Sequence, residues 1–274
     1  MENYELLDSG AQQKLERFGP FLIVRPCSQA LWKPSLPKKE WDGAHAHFSR
    51  EEGRGWVFHT ALPKRWVVEI EGVRFHVAPT DFGHLGVFPE HSLLWPQMRC
   101  ALKRKPGAKV LNLFAYSGGA TLALAQAGAQ LCHLDASKGM VAWARENAEL
   151  NELSAHPIRW IIDDVMKLLQ REVRRGARYD AIVLDPPSFG RGSHKEVFKI
   201  EQAIHPLLDL CVQLLSEDPL FLTLTTHTPG MTPVCLHARL SQKLRGEGQA
   251  GGMVIPSKRT FPLPCGSFVS WRAP

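Results

Sequence analysis

The sequence predicts an α/β fold on a mostly parallel sheet, because buried-strand patterns alternate with segments of helix length. Residues 110–115 form a continuous apolar run broken only by one asparagine, as in a strand buried on both faces. The run breaks into Tyr116-Ser-Gly-Gly119 and continues through 120–126 with good helix composition. This order places helix N-terminal amides at the carboxyl edge of the sheet, where polar ligands bind in such folds.

Carboxylates mark the ends of the next three predicted strands. The strand patterns end at Asp135, at Asp163-Asp164 and at Asp185, and predicted helices over 137–150 and 165–175 separate them. Asp135 follows the glycine turn at the distance, about 20 residues, at which a carboxylate meets a ribose hydroxyl. Because the turn lacks the G-x-G-x-x-G spacing, the glycine pair alone is weak evidence for a nucleotide site.

Together these segments resemble the class I S-adenosylmethionine-dependent methyltransferases. The motifs that carry the likeness are Asn112–Gly119, Leu134–Ser137, Asn147, Asp163–Val165 and Asp185-Pro-Pro-Ser-Phe189. The likeness covers about residues 80–274 and is closest to the group that methylates bases of large-subunit ribosomal RNA, with cytosine-C5 and guanine-N7 enzymes among its members. It implies a Rossmann-like domain with a mostly parallel seven-stranded sheet, and S-adenosylmethionine as cofactor.

The resemblance also implies a cofactor site along the carboxyl edge of the sheet. The backbone of 115–119 would hold the methionine and ribose portion, Asp135 both ribose hydroxyls, and Asp164 with Val165 the adenine. Alternatively, Asp135 and Asp164 simply cap a strand and a helix, and Phe88 is a buried residue of a domain-joining loop. The predicted cofactor-binding residues are Phe88, Asn112, Phe114, Ala115, Tyr116, Ser117, Gly118, Gly119, Asp135, Ala136, Ser137, Asp164, Val165 and Asp185.

The predicted catalytic residues lie in one short loop and are Asp185, Pro186, Pro187 and Phe189. Two prolines remove two amide donors and stiffen the loop, so its carbonyl groups stay available to a ligand. The carboxylate can accept hydrogen bonds from an amine or base edge, and Phe189 can stack on a flipped-out base. The alternative is a rigid loop that caps a strand, with Phe189 in the core.

The segment 225–228 bears on the acceptor atom. Cytosine-C5 members of the family place a nucleophilic cysteine after a late strand, whereas this segment, Thr-Thr-His-Thr, has none. C5 methylation needs a thiolate that adds to the base. We therefore expect methylation of a nucleobase nitrogen in RNA, with ribosomal RNA favoured and no covalent intermediate. Two alternatives remain: a protein or small-molecule methyltransferase, which would share the cofactor motifs, and a non-catalytic RNA-binding module of the same fold.

Residues 1–98 have a different character and predict a small β-rich domain. Residues 66–78 alternate on either side of Glu71-Gly72, which indicates a β-hairpin with a tight turn. We expect a β-rich cap or substrate domain over 1–98 and the methyltransferase domain over 99–274. The RNA-binding module that ribosomal-RNA members often carry at the N-terminus is not recognisable here.

Composition narrows the class of protein. The net charge of +6 over 274 residues favours a polyanionic partner such as RNA. Six cysteines show no C-x-x-C pair, so we expect no metal site. The N-terminus lacks a signal-peptide pattern and no apolar run reaches membrane-spanning length, so we expect a cytoplasmic protein without membrane contact.

Overall fold

The computed structural model describes residues 4–51, 55–191 and 197–273, and the chain divides into two compact units. The N-terminal unit comprises Met1–Leu93 with Val254–Cys265, and the second unit comprises Leu94–Met253 with Gly266–Pro274. The domain limits expected from the sequence, 1–98 and 99–274, stay a prediction. No helix within the described ranges combines the length and apolar character that a membrane span needs.

The N-terminal unit is rich in strands, as predicted. It contains a five-stranded sheet in the order β1-β2-β3-β4-β5 and the two-stranded β6-β7 hairpin. Glu71 and Gly72 form the hairpin turn at φ of 48° and 74°, the left-handed values of a two-residue turn. The elements are β1 (Tyr4–Gly10), β2 (Gln13–Phe18), β3 (Phe21–Pro26), α1 (Lys38–Asp42), β4 (Ala46–Ser49), β5 (Gly55–Phe58), β6 (Trp66–Ile70), β7 (Val73–Val77) and a 3₁₀ helix (Pro89–Leu94).

A buried ion pair stabilises the five-stranded sheet. Glu16 on β2 is fully buried and accepts hydrogen bonds from Arg25 Nε (2.8 Å), Arg25 Nη2 (3.0 Å) and the Tyr4 hydroxyl (2.9 Å). Burial alone raises the pKa of Glu16, but the charges and hydrogen bonds of Arg25 and Lys14 outweigh it and lower the pKa overall. The carboxylate therefore stabilises the folded state at pH values above its pKa in the unfolded chain, and this contribution is lost as the pH falls through the lowered pKa.

We expect Glu16→Gln to lower the free energy of unfolding by about 1–3 kcal/mol at neutral pH, because Arg25 stays buried without its counter-charge. Thermal unfolding of both proteins from about pH 7 down to pH 3 measures the effect, and the gap should narrow in acid. A gap that is independent of pH would contradict the role of the ion pair. Glu5→Gln is the control, since Glu5 pairs with Arg17 at 3.6 Å on the partly exposed surface, where such pairs contribute at most about 1 kcal/mol.

The second unit is built on a seven-stranded sheet in the order β10-β9-β8-β11-β14-β16-β15. The first five strands are parallel and β16 is antiparallel to β14, so the predicted fold is confirmed. The elements are α2 (Trp95–Leu102), β8 (Lys109–Leu113), α3 (Gly119–Ala125), β9 (Gln130–Asp135), α4 (Lys138–Leu150), β10 (Ile158–Ile162), α5 (Val165–Arg174), β11 (Ala181–Leu184), β12 (Phe189–Arg191), β13 (Val197–Lys199), α6 (Ile200–Gln213), β14 (Phe221–Thr226), α7 (Pro233–Ser241), β15 (Glu247–Ile255) and β16 (Leu263–Arg272).

Strand order determines where a ligand can bind in this unit. From β8 the chain runs outward through β9 to β10, then returns to the other side of β8 as β11 and β14. A reversal of this kind opens a crevice at the carboxyl ends of the central strands, which is where open α/β sheets bind ligands. The central strands β8, β11 and β14 carry fully buried leucines and isoleucines, among them Leu111, Ile182 and Leu222. The strands that border this crevice are therefore those that form the core of the unit.

Two patterns in the sequence predict local structure that differs from the structure of the protein. The glycines of 246–252 predict a turn-rich connection, but these residues lie mostly in β15. The glycines serve close packing instead, since a Cβ on Gly251 would lie 2.9 Å from the Phe268 ring. The pattern over 196–215 predicts a helix, and α6 is present there, but it begins only at Ile200 because residues 197–199 pair with β12. Glu196 and most of the basic loop 190–195 lie outside the described residues.

Candidate active site

The loop after β8 has an unusual backbone. Phe114 and Tyr116 have φ of 55° and 50°, a left-handed conformation that non-glycine residues rarely adopt. Each such residue costs on the order of 1–3 kcal/mol and persists where surrounding contacts enforce it. Those contacts are visible: the Ala115 amide donates to the Leu134 carbonyl (2.9 Å) and the Tyr116 amide donates to Asp135 Oδ2 (2.9 Å). The loop is thus held against the end of β9.

Asp135 organises this edge of the sheet. Its Oδ2 accepts from Tyr116, and its Oδ1 accepts from the Ser137 amide at 2.8 Å. Burial raises the pKa of Asp135, and the two amide hydrogen bonds offset part of that rise. Because a carboxylate oxygen has two acceptor sites, each oxygen can still receive one hydroxyl. The arrangement suits a vicinal diol such as that of ribose.

The glycine pair lets two helices, α2 and α4, approach the loop closely. Gly118 has φ of 95° and a Cβ there would lie 3.2 Å from the Ala144 Cβ of α4. A Cβ on Gly119 would lie 3.1 Å from Cζ2 of Trp95 on α2. Both contacts are tight, and the φ of Gly118 would strain any L residue. The predicted turn is therefore present, and its glycines serve backbone conformation and packing.

Three residues of the motif act within the protein as supports. The Asn112 side chain, 4% exposed, donates to Thr121 Oγ1 (2.8 Å) and so joins β8 to α3. Asn147 of α4 donates to the Ser117 carbonyl (3.0 Å), and the Phe114 ring packs against Phe198 at 5.3 Å. These contacts shape the loop, and direct contact of Asn112 or Phe114 with the cofactor stays a prediction.

Asp164 lies on the neighbouring strand end and caps α5. Its Oδ1 accepts from the Lys167 amide (2.9 Å), and Val165 is buried in the core. The end of β10 is joined to β9 where the Asp163 amide donates to the Asp135 carbonyl (3.3 Å). Asp135 and Asp164 thus lie on adjacent strand ends of one edge, with exposed Ala136 following Asp135. Asp164 thus caps α5, which is the alternative considered from the sequence. Its contact with adenine stays a prediction.

The Asp185–Phe189 loop follows β11 and is hydrogen-bonded to the end of β14 and to the segment that follows it. Thr225 Oγ1 donates to Asp185 Oδ1 (2.7 Å), and the hydroxyl oxygens of Ser188 and Thr228 lie 2.7 Å apart. Pro186 is buried and Pro187 exposed. The Phe189 side chain is 52% exposed, so it does not belong to the core. A carboxylate and an exposed aromatic ring thus occupy one rigid loop at the carboxyl edge.

Sequence reasoning missed the contribution of the 225–228 segment, which it considered only for its lack of cysteine. Besides the two threonines, this segment brings His227 Nδ1 to 3.7 Å from Asp185 Oδ1. In a parallel sheet the carboxyl ends of neighbouring strands lie side by side, and β11 and β14 are such neighbours. A polar segment directly after a late strand was therefore the one signal in the sequence that could have pointed to these residues. Cys235 lies farther along the chain, exposed in the first turn of α7, where its amide donates to Thr232 Oγ1 (3.3 Å).

Phe88 belongs to the N-terminal unit. Its half-buried ring packs between His84 and His91, with ring centroids at 5.1 and 5.8 Å. The contact with the cofactor expected for Phe88 stays a prediction.

Comparison with known proteins agrees with this architecture. Ribosomal RNA large subunit methyltransferase K/L of Shewanella sp. (strain ANA-3) is 32% identical over 174 residues, which are 61% of this chain and 24% of that protein. Ribosomal RNA large subunit methyltransferase K of Neisseria meningitidis serogroup B is 30% identical over 155 residues, 56% of this chain and 43% of that protein. The chain thus spans less than half the length of either relative.

A crystal structure of the SAM-dependent methyltransferase from Agrobacterium tumefaciens is similar over the whole chain. It is 38% identical, with a TM-score of 0.95, and the match covers 100% of this chain and 91% of that one. A family model described as S-adenosylmethionine-dependent methyltransferase matches residues 40–235. The chain therefore belongs to the S-adenosylmethionine-dependent methyltransferase family, and S-adenosylmethionine is its cofactor.

Proposed function

We propose that this enzyme methylates a nucleobase nitrogen of RNA, with large-subunit ribosomal RNA as its substrate. One observation carries the proposal: Phe189 exposes 52% of its surface on the same rigid loop as Asp185. An exposed aromatic ring can stack on a base taken out of its strand, while the neighbouring carboxylate grips the base edge. The net charge of +6 suits an RNA partner, and both named relatives are ribosomal RNA methyltransferases.

The proposed cofactor contacts follow from the geometry of the edge. The strained loop over 115–119 would hold the methionine and ribose portion, with Asp135 accepting from both ribose hydroxyls. Asp164, Val165 and the Ala136-Ser137 turn would border the adenine. S-adenosylmethionine carries its own electrophilic methyl group, so the protein has mainly to orient the acceptor. On the cofactor side, the two oxygens of Asp135 accept from the Tyr116 and Ser137 amides and so connect the loop after β8 to the turn after β9.

The Asp185–Phe189 loop would orient the base. Asp185 and the Pro186 carbonyl would accept hydrogen bonds from the base and turn its nitrogen lone pair toward the methyl group. Pro187 stiffens the loop, and the hydroxyl of Thr225 fixes one oxygen of the carboxylate at 2.7 Å. This preorganisation lowers the barrier by positioning and electrostatics rather than by covalent chemistry.

The proposed nitrogen acceptor agrees with the placement of the thiols. Thr226 lies in the segment where cytosine-C5 methyltransferases carry their cysteine. It is 1% exposed, and its hydroxyl accepts from the Thr228 amide (3.1 Å). Burial raises the pKa of Cys211 to about 12, and it raises the pKa of Cys132 as well. A thiolate is the reactive form of cysteine, so these buried thiols are poor nucleophiles.

The function is tested with ribosomal RNA from cells that lack this gene. The purified protein and S-adenosylmethionine should methylate large-subunit RNA, and mass spectrometry of nuclease digests should locate the methyl group on a base nitrogen. Methyl transfer to a protein or a small metabolite but to no RNA would contradict the proposal. Methylated carbon in the base would contradict the nitrogen assignment alone.

We expect no covalent adduct with RNA that contains 5-fluorocytosine, because no thiolate attack is involved. The fluorine blocks the elimination that releases a C5-methylating cysteine, so gel electrophoresis under denaturing conditions would reveal a trapped complex. An adduct that disappears in Cys235→Ala would instead make Cys235 the nucleophile. Cys100→Ala, which removes another exposed thiol, is the matched control.

We further propose that the N-terminal β-rich region, expected over 1–98, serves as a substrate or cap domain. Ribosomal RNA as substrate also implies a cytoplasmic location. Truncation of this region should weaken binding of RNA more than binding of S-adenosylmethionine.

A further inference from the structure

His227 lies in a segment that is hydrogen-bonded on both sides to the Asp185–Phe189 loop. It follows β14 directly and stands between two residues that bond the same neighbouring loop: Thr225 through Asp185 at 2.7 Å, and Thr228 through Ser188 at 2.7 Å. The side chains of Thr225 and Thr228, one on each side of His227 in the chain, are therefore hydrogen-bonded to the loop that carries the predicted catalytic residues. His227 therefore belongs to the candidate active site and not to an unconnected surface loop.

The imidazole also has an orienting partner. Its Nδ1 lies 3.7 Å from Asp185 Oδ1, and the two side chains are 33% and 24% exposed. That distance exceeds a hydrogen bond, yet the carboxylate still stabilises an imidazolium electrostatically and favours the tautomer with hydrogen on Nδ1. Nε2 is then the acceptor nitrogen. Hydrogen bonds between catalytic groups are often long until the substrate is bound.

We propose that His227 is the proton acceptor of the reaction and that the methylated atom is an exocyclic amine. This inference rests on the proposed function and narrows its acceptor. A ring nitrogen such as guanine N7 already has a lone pair, carries no hydrogen and needs no base. An exocyclic amine has to lose one proton for each methyl group it gains. An Asp185–His227 pair beside the base-orienting loop serves the second reaction only.

The transfer is balanced as follows. The amine nitrogen uses its lone pair to form the new N–C bond to the methyl group of S-adenosylmethionine. The electron pair of the broken C–S bond stays on sulfur, which becomes a neutral thioether. The positively charged nitrogen then gives one proton to Nε2 of His227, and Asp185 stabilises the resulting imidazolium. The imidazolium later releases that proton to solvent. The product is a neutral N-methylamine, and the enzyme returns to its starting state.

The test compares His227→Ala with the wild type on ribosomal RNA from cells that lack this gene. We expect kcat to fall by about a hundredfold, with binding of S-adenosylmethionine by calorimetry unchanged. Added imidazole should restore part of the rate, because it can occupy the vacated space and accept the proton. His205→Ala, which removes an exposed histidine of α6, should behave like wild type. His227→Gln keeps the hydrogen bonding without the base and should stay slow, which covers the case in which the alanine variant misfolds.

Each other outcome is decisive. Full activity in His227→Gln, or no rescue by imidazole in a folded His227→Ala, would reduce His227 to a structural support and overturn the inference. Methyl groups found on a ring nitrogen would also overturn it, while the proposed RNA methylation would stand. Wild-type protein that methylates no RNA at all would refute the proposed function and, with it, this role of His227.

Discussion

Asp185→Ala is expected to lower kcat on RNA by a hundredfold or more, on the order of 10²–10⁴, while binding of S-adenosylmethionine changes far less. The reason is the position of the carboxylate on the loop after β11, where Thr225 holds one oxygen at 2.7 Å and His227 lies 3.7 Å away. Removing it leaves the base without its orienting acceptor and leaves His227 without a counter-charge. Single-turnover kinetics separates this loss in the chemical step from any change in RNA binding.

Two further variants show which property of Asp185 matters. Asp185→Asn keeps the shape and one acceptor oxygen but removes the charge, so it should be nearly as slow as alanine. Thr225→Val keeps the volume of the side chain and removes only the hydroxyl that holds Oδ1, so a much smaller loss is expected, about tenfold for one hydrogen bond to a charged group. If Asp185→Ala lowers cofactor affinity as much as kcat, the residue belongs to the cofactor site instead.

Asp135→Ala is expected to weaken binding of S-adenosylmethionine by about tenfold to a hundredfold. Loss of a charged acceptor for two hydroxyl groups costs about 1–3 kcal/mol, and each 1.4 kcal/mol is about tenfold in affinity. The loop should suffer as well, because the Tyr116 amide donates to this carboxylate while Tyr116 holds a left-handed φ of 50°. Isothermal calorimetry with S-adenosylmethionine and with S-adenosylhomocysteine measures both ligands.

The control for this variant is Asp209→Ala, which removes a partly exposed carboxylate of α6 that pairs with Lys243. It should bind both ligands as tightly as wild type. Asp135→Asn preserves side-chain volume and should fall between wild type and alanine, which separates loss of charge from loss of shape. Unchanged affinity in a folded Asp135→Ala would remove Asp135 from the cofactor site.

The sequence by itself determined the core of the catalytic unit. The central strands β8 and β11 are buried on both faces, so each had to be a continuous apolar run, and such runs are recognisable without any partner. Asp185 follows the run of β11 directly and Asp135 ends the strand β9, so the edge of the sheet on which they lie was predictable as well. The Glu71-Gly72 turn was equally local, since only a few residues can hold two successive left-handed conformations.

Tertiary structure alone decided the five-stranded sheet of the N-terminal unit. Its strands carry polar side chains such as Glu16 and Arg25, which are buried because each neutralises the other across β2 and β3. No local pattern indicates that a charged residue will find a partner. The same applies to β15, where the ring of Phe268 on the neighbouring strand packs so closely against Gly251 that a Cβ there would lie 2.9 Å from it.

The candidate active site likewise combines residues that the sequence predicted with contacts that only the tertiary structure shows. Asp185 and Phe189 could be identified from five consecutive residues, but the exposure of Phe189 and the partners of Asp185 could not. Thr225 and His227 lie about forty residues farther along the chain, and they reach Asp185 because β11 and β14 pair in parallel. Burial periodicity is recorded in adjacent residues, whereas the pairing of distant strands depends on the energy of the whole fold. For that reason the carboxylate was visible in the sequence and its histidine only in the structure.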